Sequence, residues 1–515
     1  MADTGALIER VLSEFTLWSK ERSVTENMST YHFKLFSLLS FTVFCYHINI
    51  ATLGMFSLCV ADSLGLSTSA VYWMTVSLYF GEVIGCLMVG VMADVYGRKP
   101  IIIGSSIIFG ICCLITGTSN SYGLLVVAQV CIGFCVAVQA IAIALVTEYA
   151  APAERGMQVV LVGVIYNFGN IFGVFLLWIG EFTQDKTGID NWRDMSLFNV
   201  CAMALAVPLM FLWIMESPRW LVAQGREKEA MKVLEEMSQI SQVDIKAILN
   251  QGAGASETTA LISAMRGLDK EGGEDDADAG TIDTGGTWKT SDSAQSSVKE
   301  VADGFVNVID ALRKTATDSD KAAQNWALLV MWTLAGALYY GLLLSVTDIY
   351  YTSSDDDDTC SFDYPFYFAF FSFGFVGSFG VMLSLPYATR FQIASSTTLA
   401  AAGSLFLMMI LLATMGTSSA SISFWFILPL AVAKIGHEIL GEMKWMVTPR
   451  LFPSETRSTI TAGMSAMNRV GGILIAILVD SSVTEWMDYL IFFFMTLVVF
   501  GAYYLIDMEN GALHD

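Results

Sequence analysis

Gly90-Val91-Met92-Ala93-Asp94-Val95-Tyr96-Gly97-Arg98-Lys99 is the stretch on which the fold turns. An apolar run precedes it over residues 70–92, and another follows it over residues 100–117. Each is close to the ~20 residues a helix needs to cross the hydrocarbon core of a bilayer. The few residues between them hold an acid, a glycine that permits a sharp reversal, and two adjacent cations. The segment reads as a tight turn at a membrane face, with Asp94 at the end of one helix opposite Arg98 and Lys99 at the start of the next. Such a charge cluster can latch neighbouring helices in one arrangement and release them in another.

Ten further apolar runs flank this turn. Residues 34–60, 122–147, 157–180 and 196–215 complete a first set of six, and residues 325–347, 365–388, 395–415, 421–446, 459–480 and 485–507 form a second set. The composition agrees: 54% of the 515 residues are hydrophobic and 15% charged, where a soluble domain carries about a quarter charged residues. The mean hydropathy is +0.57. The expectation is an all-α membrane protein with 12 transmembrane helices in two pseudo-symmetric six-helix bundles, residues 34–221 and 325–508. Residues 1–33 read as a cytosolic segment with an amphipathic helix near 6–20. Residues 222–324 read as a cytoplasmic, partly disordered acidic loop flanked by short helices near 226–240 and 299–315, and residues 509–515 as a cytosolic tail.

Several function classes drop out on charge and spacing. The net charge of −22 is concentrated in the acidic loop and in Asp355–Asp358, and no basic patch exists to meet phosphate, which argues against nucleic acid. Most of the nine cysteines lie inside apolar runs, where they behave as small hydrophobes. No metal-ligand spacing, activated nucleophile or phosphate loop is present, so the expectation is no enzyme, no metal and no cofactor. Arg98, Lys99, Arg155, Arg219, Arg226, Lys228, Arg390, Arg450 and Arg457 fall on one side of an alternating topology. By the positive-inside bias that side is the cytoplasm, with both termini in it. A monomer in the plasma membrane is expected, with an intracellular vesicle membrane as the second placement.

The quoted turn resembles the G-x-x-x-D-x-x-G-R-K/R loop of the major facilitator superfamily. Glu148-Tyr-Ala-Ala-Pro152-Ala-Glu-Arg155-Gly156 and Met215-Glu216-Ser217-Pro218-Arg219-Trp220-Leu221 resemble its later cytoplasmic motifs. The resemblance implies a gating charge network of Asp94, Arg98, Lys99, Glu148, Arg155, Glu216 and Arg219. Trp332 with Tyr339-Tyr340-Gly341-Leu342-Leu343-Leu344 resembles the seventh helix of the organic cation/anion transporter and synaptic-vesicle-glycoprotein branch. Lys434-Ile-Gly436, Leu451-Phe452-Pro453-Ser454-Glu455-Thr456-Arg457 and Asn468-Arg469-Val470-Gly471-Gly472 resemble that branch's last helices. The chain departs from the pattern at Pro386–Arg390, which lacks the acid of a second loop copy, and at Gln129 in place of an arginine.

Ionisable groups inside apolar runs cost several kcal/mol unless paired or used. Four places stand out: His47; Glu82; the trio Lys434, Glu438 and Glu442, spaced so as to share one helix face; and Arg469. His47, Glu82, Glu438 and Glu442 are the candidate proton-coupling groups, since a histidine or a buried carboxyl can change charge during a cycle. Arg469, Lys434, Asn167, Asn170, Trp332, Tyr339 and Tyr340 are the candidate solute contacts. At the position of Arg469 the resemblance associates an arginine with anionic solutes. The alternatives are structural: a self-neutralising Lys434–Glu438 pair, an Arg469 pair with Glu82 or Glu442, and a neutral His47 bonded to another helix. The expected function is secondary active or facilitative transport of a small organic anion or zwitterion by alternating access, with symport of protons as the candidate coupling. A sugar or polyol carrier and a non-transporting receptor or vesicle protein are the competing readings.

Overall fold

The computed structural model describes residues 30–150, 155–187, 190–241, 321–352, 362–385, 387–415, 424–452, 454–480 and 485–506, with a few isolated positions between 301 and 313. The predicted helices near 6–20 and 299–315, the acidic loop beyond residue 241, Asp355–Asp358, and the side chains of Arg155 and Arg457 lie outside that description. The described chain is helical. In order it forms α1 (Thr30–Ala51), α2 (Leu53–Ser63), α3 (Thr68–Tyr96), α4 (Arg98–Thr118), α5 (Tyr122–Val136), α6 (Gln139–Tyr149), α7 (Arg155–Thr187) and α8 (Asn191–Trp213). Two short helices follow, α9 (Pro218–Ala223) and α10 (Glu227–Ser241). The second half holds α11 (Ala322–Thr352), α12 (Tyr364–Ser384), α13 (Arg390–Met415), α14 (Phe424–Val447), α15 (Ser454–Asp480) and α16 (Glu485–Ala502).

Two crossings are each built from a pair of helices. The first apolar run breaks at Thr52, whose hydroxyl donates to the Ile48 carbonyl at 2.6 Å, a back-bond that bends helices. The fourth run breaks at Ala137-Val138, where Val138 N donates to Cys135 O at 3.1 Å, a tightened turn. Among the described residues, eleven helices have the length and apolarity to cross a membrane, with Tyr122–Glu148 counted as one. The twelfth crossing is α14, whose apolar run is interrupted by Lys434, Glu438, Glu442 and Lys444. The protein is a multi-pass membrane protein of two six-helix bundles.

Without a hydrophobic driving force between helices in lipid, close backbone approach does the packing. Gly85 lies against the Phe134 carbonyl, where a Cβ would come within 2.7 Å of it, so α3 and α5 cross nearly backbone to backbone. In the second half Gly336 of α11 meets the Asn468 backbone of α15 in the same way. Two long seams join the halves, α3 along α15 and α7 along α12, with lesser contacts of α14 with α7 and of α11 with α2. These seams position the site.

Candidate functional site

One charge cluster gathers where α3 ends. Gly97 adopts φ +98°, a conformation that favours glycine, and the chain reverses there into α4. Arg98 reaches Asp94 at 3.2 Å and Glu148 at 3.3 Å. Glu216 lies across the start of α4, accepting from the backbone N–H of Arg98 at 2.9 Å, of Lys99 at 3.2 Å and of Ser217 at 3.0 Å. A carboxylate belongs there, because the first amides of a helix have no internal partner. Burial nevertheless pushes Glu216 above the ordinary carboxylate range, against the pull of those amides and of Arg98. Trp220 Nε1 donates to the Asp94 carbonyl at 2.9 Å, and Tyr149 donates to the Glu216 carbonyl at 2.8 Å. Arg219 is half-buried on α9. The loop motif and the two motifs predicted to join it thus meet at one end, within one half.

Deeper along α3 the partners change. Glu82 is fully buried, and its carboxylate is 2.6 Å from Nε of Arg469 on α15. Arg469 also donates to Tyr340, whose ring lies 4.2 Å from that of Tyr79. One turn toward the Gly97 end, Cys86 donates to Ser465 at 3.5 Å. This is the structural alternative weighed from sequence, a pair between Arg469 and Glu82. It joins the two halves.

The predicted face of α14 does form, and it points at the other seam. Lys434 and Glu438 pair at 3.3 Å, both buried. Lys434 also lies 4.3 Å from the centre of the Tyr339 ring, a cation–π contact. Asn167 of α7 donates to Glu438 at 2.9 Å and to Ser378 at 3.0 Å, and Ser378 donates to Glu442 at 2.9 Å. Asn170 donates to Asn167 at 3.4 Å. Glu442, which its place in the sequence puts toward the water-accessible end, is buried in this network. Tyr166 of α7 donates to Glu438 and reaches Glu442 at 3.5 Å. His47 stacks on Tyr166 with ring centres 4.4 Å apart and bonds Gln139 at 3.1 Å.

Tyr166 and Ser378 were not singled out from the sequence. Each is a polar group in a membrane helix, a weak signal when aromatic and hydroxyl residues are common there. Trp332 is buried against Trp445 and donates to Thr448 at 2.8 Å, on the Gly97 side of the cluster. His437 faces Thr496 of α16 at 3.4 Å, inside its own half. The halves also meet at both ends. A Cβ on Gly90 would lie 3.7 Å from Ala462, and Tyr364 donates to the Leu177 carbonyl at 3.4 Å at the opposite end.

Comparison with known proteins adds the wider setting. Residues 39–476 match the family described as Major Facilitator Superfamily. The arabinose-proton symporter of Bacillus subtilis (strain 168) is 26% identical over 165 residues, 31% of this chain and 34% of that protein. Organic anion transporter 3 of Sus scrofa is 27% identical over 207 residues, 40% of this chain and 35% of that protein. The chain spans about a third of the length of the first curated relatives it matches. Among solved structures, the proton:xylose symporter XylE bound to 6-bromo-6-deoxy-D-glucose has a TM-score of 0.63 at 14% identity. That match covers 92% of this chain and 95% of XylE, a likeness of fold.

Proposed function

The chain belongs to the major facilitator superfamily, and from that premise we propose that it carries a small organic anion or zwitterion across its membrane by alternating access. The two bundles, residues 34–221 and 325–508, rock about the buried ionisable groups, and the solute binds between them. The observation that carries this reading is the Glu82–Arg469 pair, a buried carboxylate of one half held 2.6 Å from a guanidinium of the other. Such a pair is costly to bury, and removing one partner leaves an uncompensated charge. It is therefore a joint that holds while both charges persist and loosens when one is neutralised.

Proton coupling follows from that joint. A proton on Glu82 frees Arg469, whose guanidinium binds a carboxylate in a two-pronged fashion. Tyr339, Tyr340, Asn167, Asn170, Trp332 and Lys434 line the solute's path. Glu438, Glu442 and His47 form the second proton-responsive group, joined across the halves through Tyr166. The Asp94, Arg98, Lys99, Glu148, Arg155, Glu216 and Arg219 network latches the cytoplasmic end. The termini are cytoplasmic, the membrane is the plasma membrane, and the carrier works as a monomer.

A sugar or polyol carrier is the second reading. It is favoured by the arabinose-proton symporter and XylE relationships and opposed by the buried charges. Uptake into vesicles reconstituted with the purified protein separates the two. An inward proton gradient drives entry of a labelled organic acid such as benzoate in the wild type and not in Glu82→Gln. Gradient-driven entry of arabinose with no entry of any organic acid contradicts the first reading.

A further inference from the structure

The buried charges can be matched one by one. Arg469 has Glu82, and Lys434 has Glu438. Apart from Asp488, which lies on α16, two remain: Glu442 and Lys444, two residues apart on α14 and so about 200° apart around the helix. They cannot pair. Glu442 turns to Ser378 and Tyr166 at the α7 seam, and Lys444 turns to α15 and α11.

Lys444 is buried, yet among the described residues no carboxylate lies within ion-pair distance of it. Arg469, Glu438 and Glu442 are the charged groups whose fields reach its ammonium, and both glutamates are engaged elsewhere. An ammonium has three N–H donors. One goes to Asn468, and the face of Trp332 lies 4.9 Å away. Trp445 closes the aromatic side, edge-on to Trp332 with ring centres 4.9 Å apart. On α15, Thr461, Ser465 and Asn468 are spaced to share one face. The Thr461 hydroxyl is buried without a hydrogen-bond partner, and Ser465 meets Cys86 of the other half. The ammonium therefore ends beside the α3–α15 seam, on its Gly97 side, with donors to spare.

We propose that Lys444, with Asn468 and the Trp332–Trp445 pair, is the anchor for the anionic group of the solute. The proposal rests on the carrier reading above and deepens it: the solute's carboxylate or sulfonate supplies the negative charge that Lys444 lacks. The indole faces select an anion with an apolar or aromatic body over a compact inorganic one. Arg469 is neutralised by Glu82 in this arrangement, whereas Lys444 is available without breaking a pair. The anchor opens to solvent when the halves part at the Gly97 end, where Cys86 leaves Ser465.

The test is thermal stabilisation of the purified full-length protein by benzoate, lactate and benzenesulfonate, with benzamide, glucose and tetraethylammonium as neutral and cationic probes. At least one anion raises the unfolding midpoint of the wild type and of the surface variant Lys228→Met. Its apparent affinity falls roughly tenfold or more in Lys444→Met, as expected for loss of a charge-assisted contact, and is largely kept in Lys444→Arg. Should Lys444→Met not fold, Lys444→Gln is read in the same way. Undiminished anion stabilisation in the neutral variant overturns the proposal, as does stabilisation by the neutral or cationic probes alone, or by none of the six. Flux of the stabilising anion into vesicles tells the two readings apart. Binding lost at Lys444→Met with no flux in the wild type sinks the carrier and keeps the anchor; flux that survives Lys444→Met sinks the anchor and keeps the carrier.

Discussion

At the end of α3, Asp94 is half exposed and shares Arg98 with Glu148, and the bonds that Asp94, Arg98, Glu148 and Glu216 make with one another lie within the same half of the molecule. Twelve residues earlier on the same helix, Glu82 is fully buried and its partner belongs to the other half. The first cluster has water and backbone amides to fall back on when a member is lost. The second has neither. Charge within one half and near the surface tunes a contact, whereas charge across the seam decides whether the halves stay together.

The largest effect separating the two regions is expected at the seam. Glu82→Gln leaves a buried guanidinium without its counter-ion and destabilises the protein by about 3–5 kcal/mol, read as a drop in the thermal midpoint in detergent. Glu82→Met combined with Arg469→Met recovers most of that loss, since apolar replacement of both partners removes the desolvation cost together with the attraction. A double variant as unstable as the single one breaks the comparison. Gly97→Ala comes next. It forces a side chain into φ +98° and against the Glu216 carboxylate, and costs about 1–3 kcal/mol in the same assay. Arg226→Ala marks the lower end. Arg226 and Glu229 pair at 2.6 Å, but both are about half exposed, so the change stays within about 0.5 kcal/mol.

Much of the fold was legible because hydrocarbon imposes a length and a polarity on whatever crosses it. The predicted runs near 100–117, 157–180 and 395–415 each lie inside an observed helix: Arg98–Thr118, Arg155–Thr187 and Arg390–Met415. The breaks at Thr52 and Ala137 were hidden, since a side-chain back-bond and one tightened turn leave hydropathy unchanged. Of the site, the charged residues could be named but their pairing could not. Spacing put Lys434, Glu438 and Glu442 on one face, as found. Nothing in a one-dimensional pattern says that Arg469 meets Glu82 and not Glu442, because that choice depends on which helices form the seam. Tyr166 joins His47 to both glutamates through a contact between helices far apart in sequence, and only its packing reveals it.

The central claim is that the two halves move as bodies about the buried charges, opening one end as the other closes. Paired spin labels test it most directly. In a cysteine-depleted background, Gln224→Cys with Tyr387→Cys reports on the Gly97 end, and Asn120→Cys with Met487→Cys reports on the opposite end; all four positions are exposed. Electron–electron distance measurements on the protein in lipid nanodiscs, at neutral and at acidic pH with benzoate present, are expected to show one pair lengthening while the other shortens. In the Glu82→Gln background that response is reduced or already displaced at neutral pH. Distances that stay fixed at both ends, or that lengthen together, contradict the account.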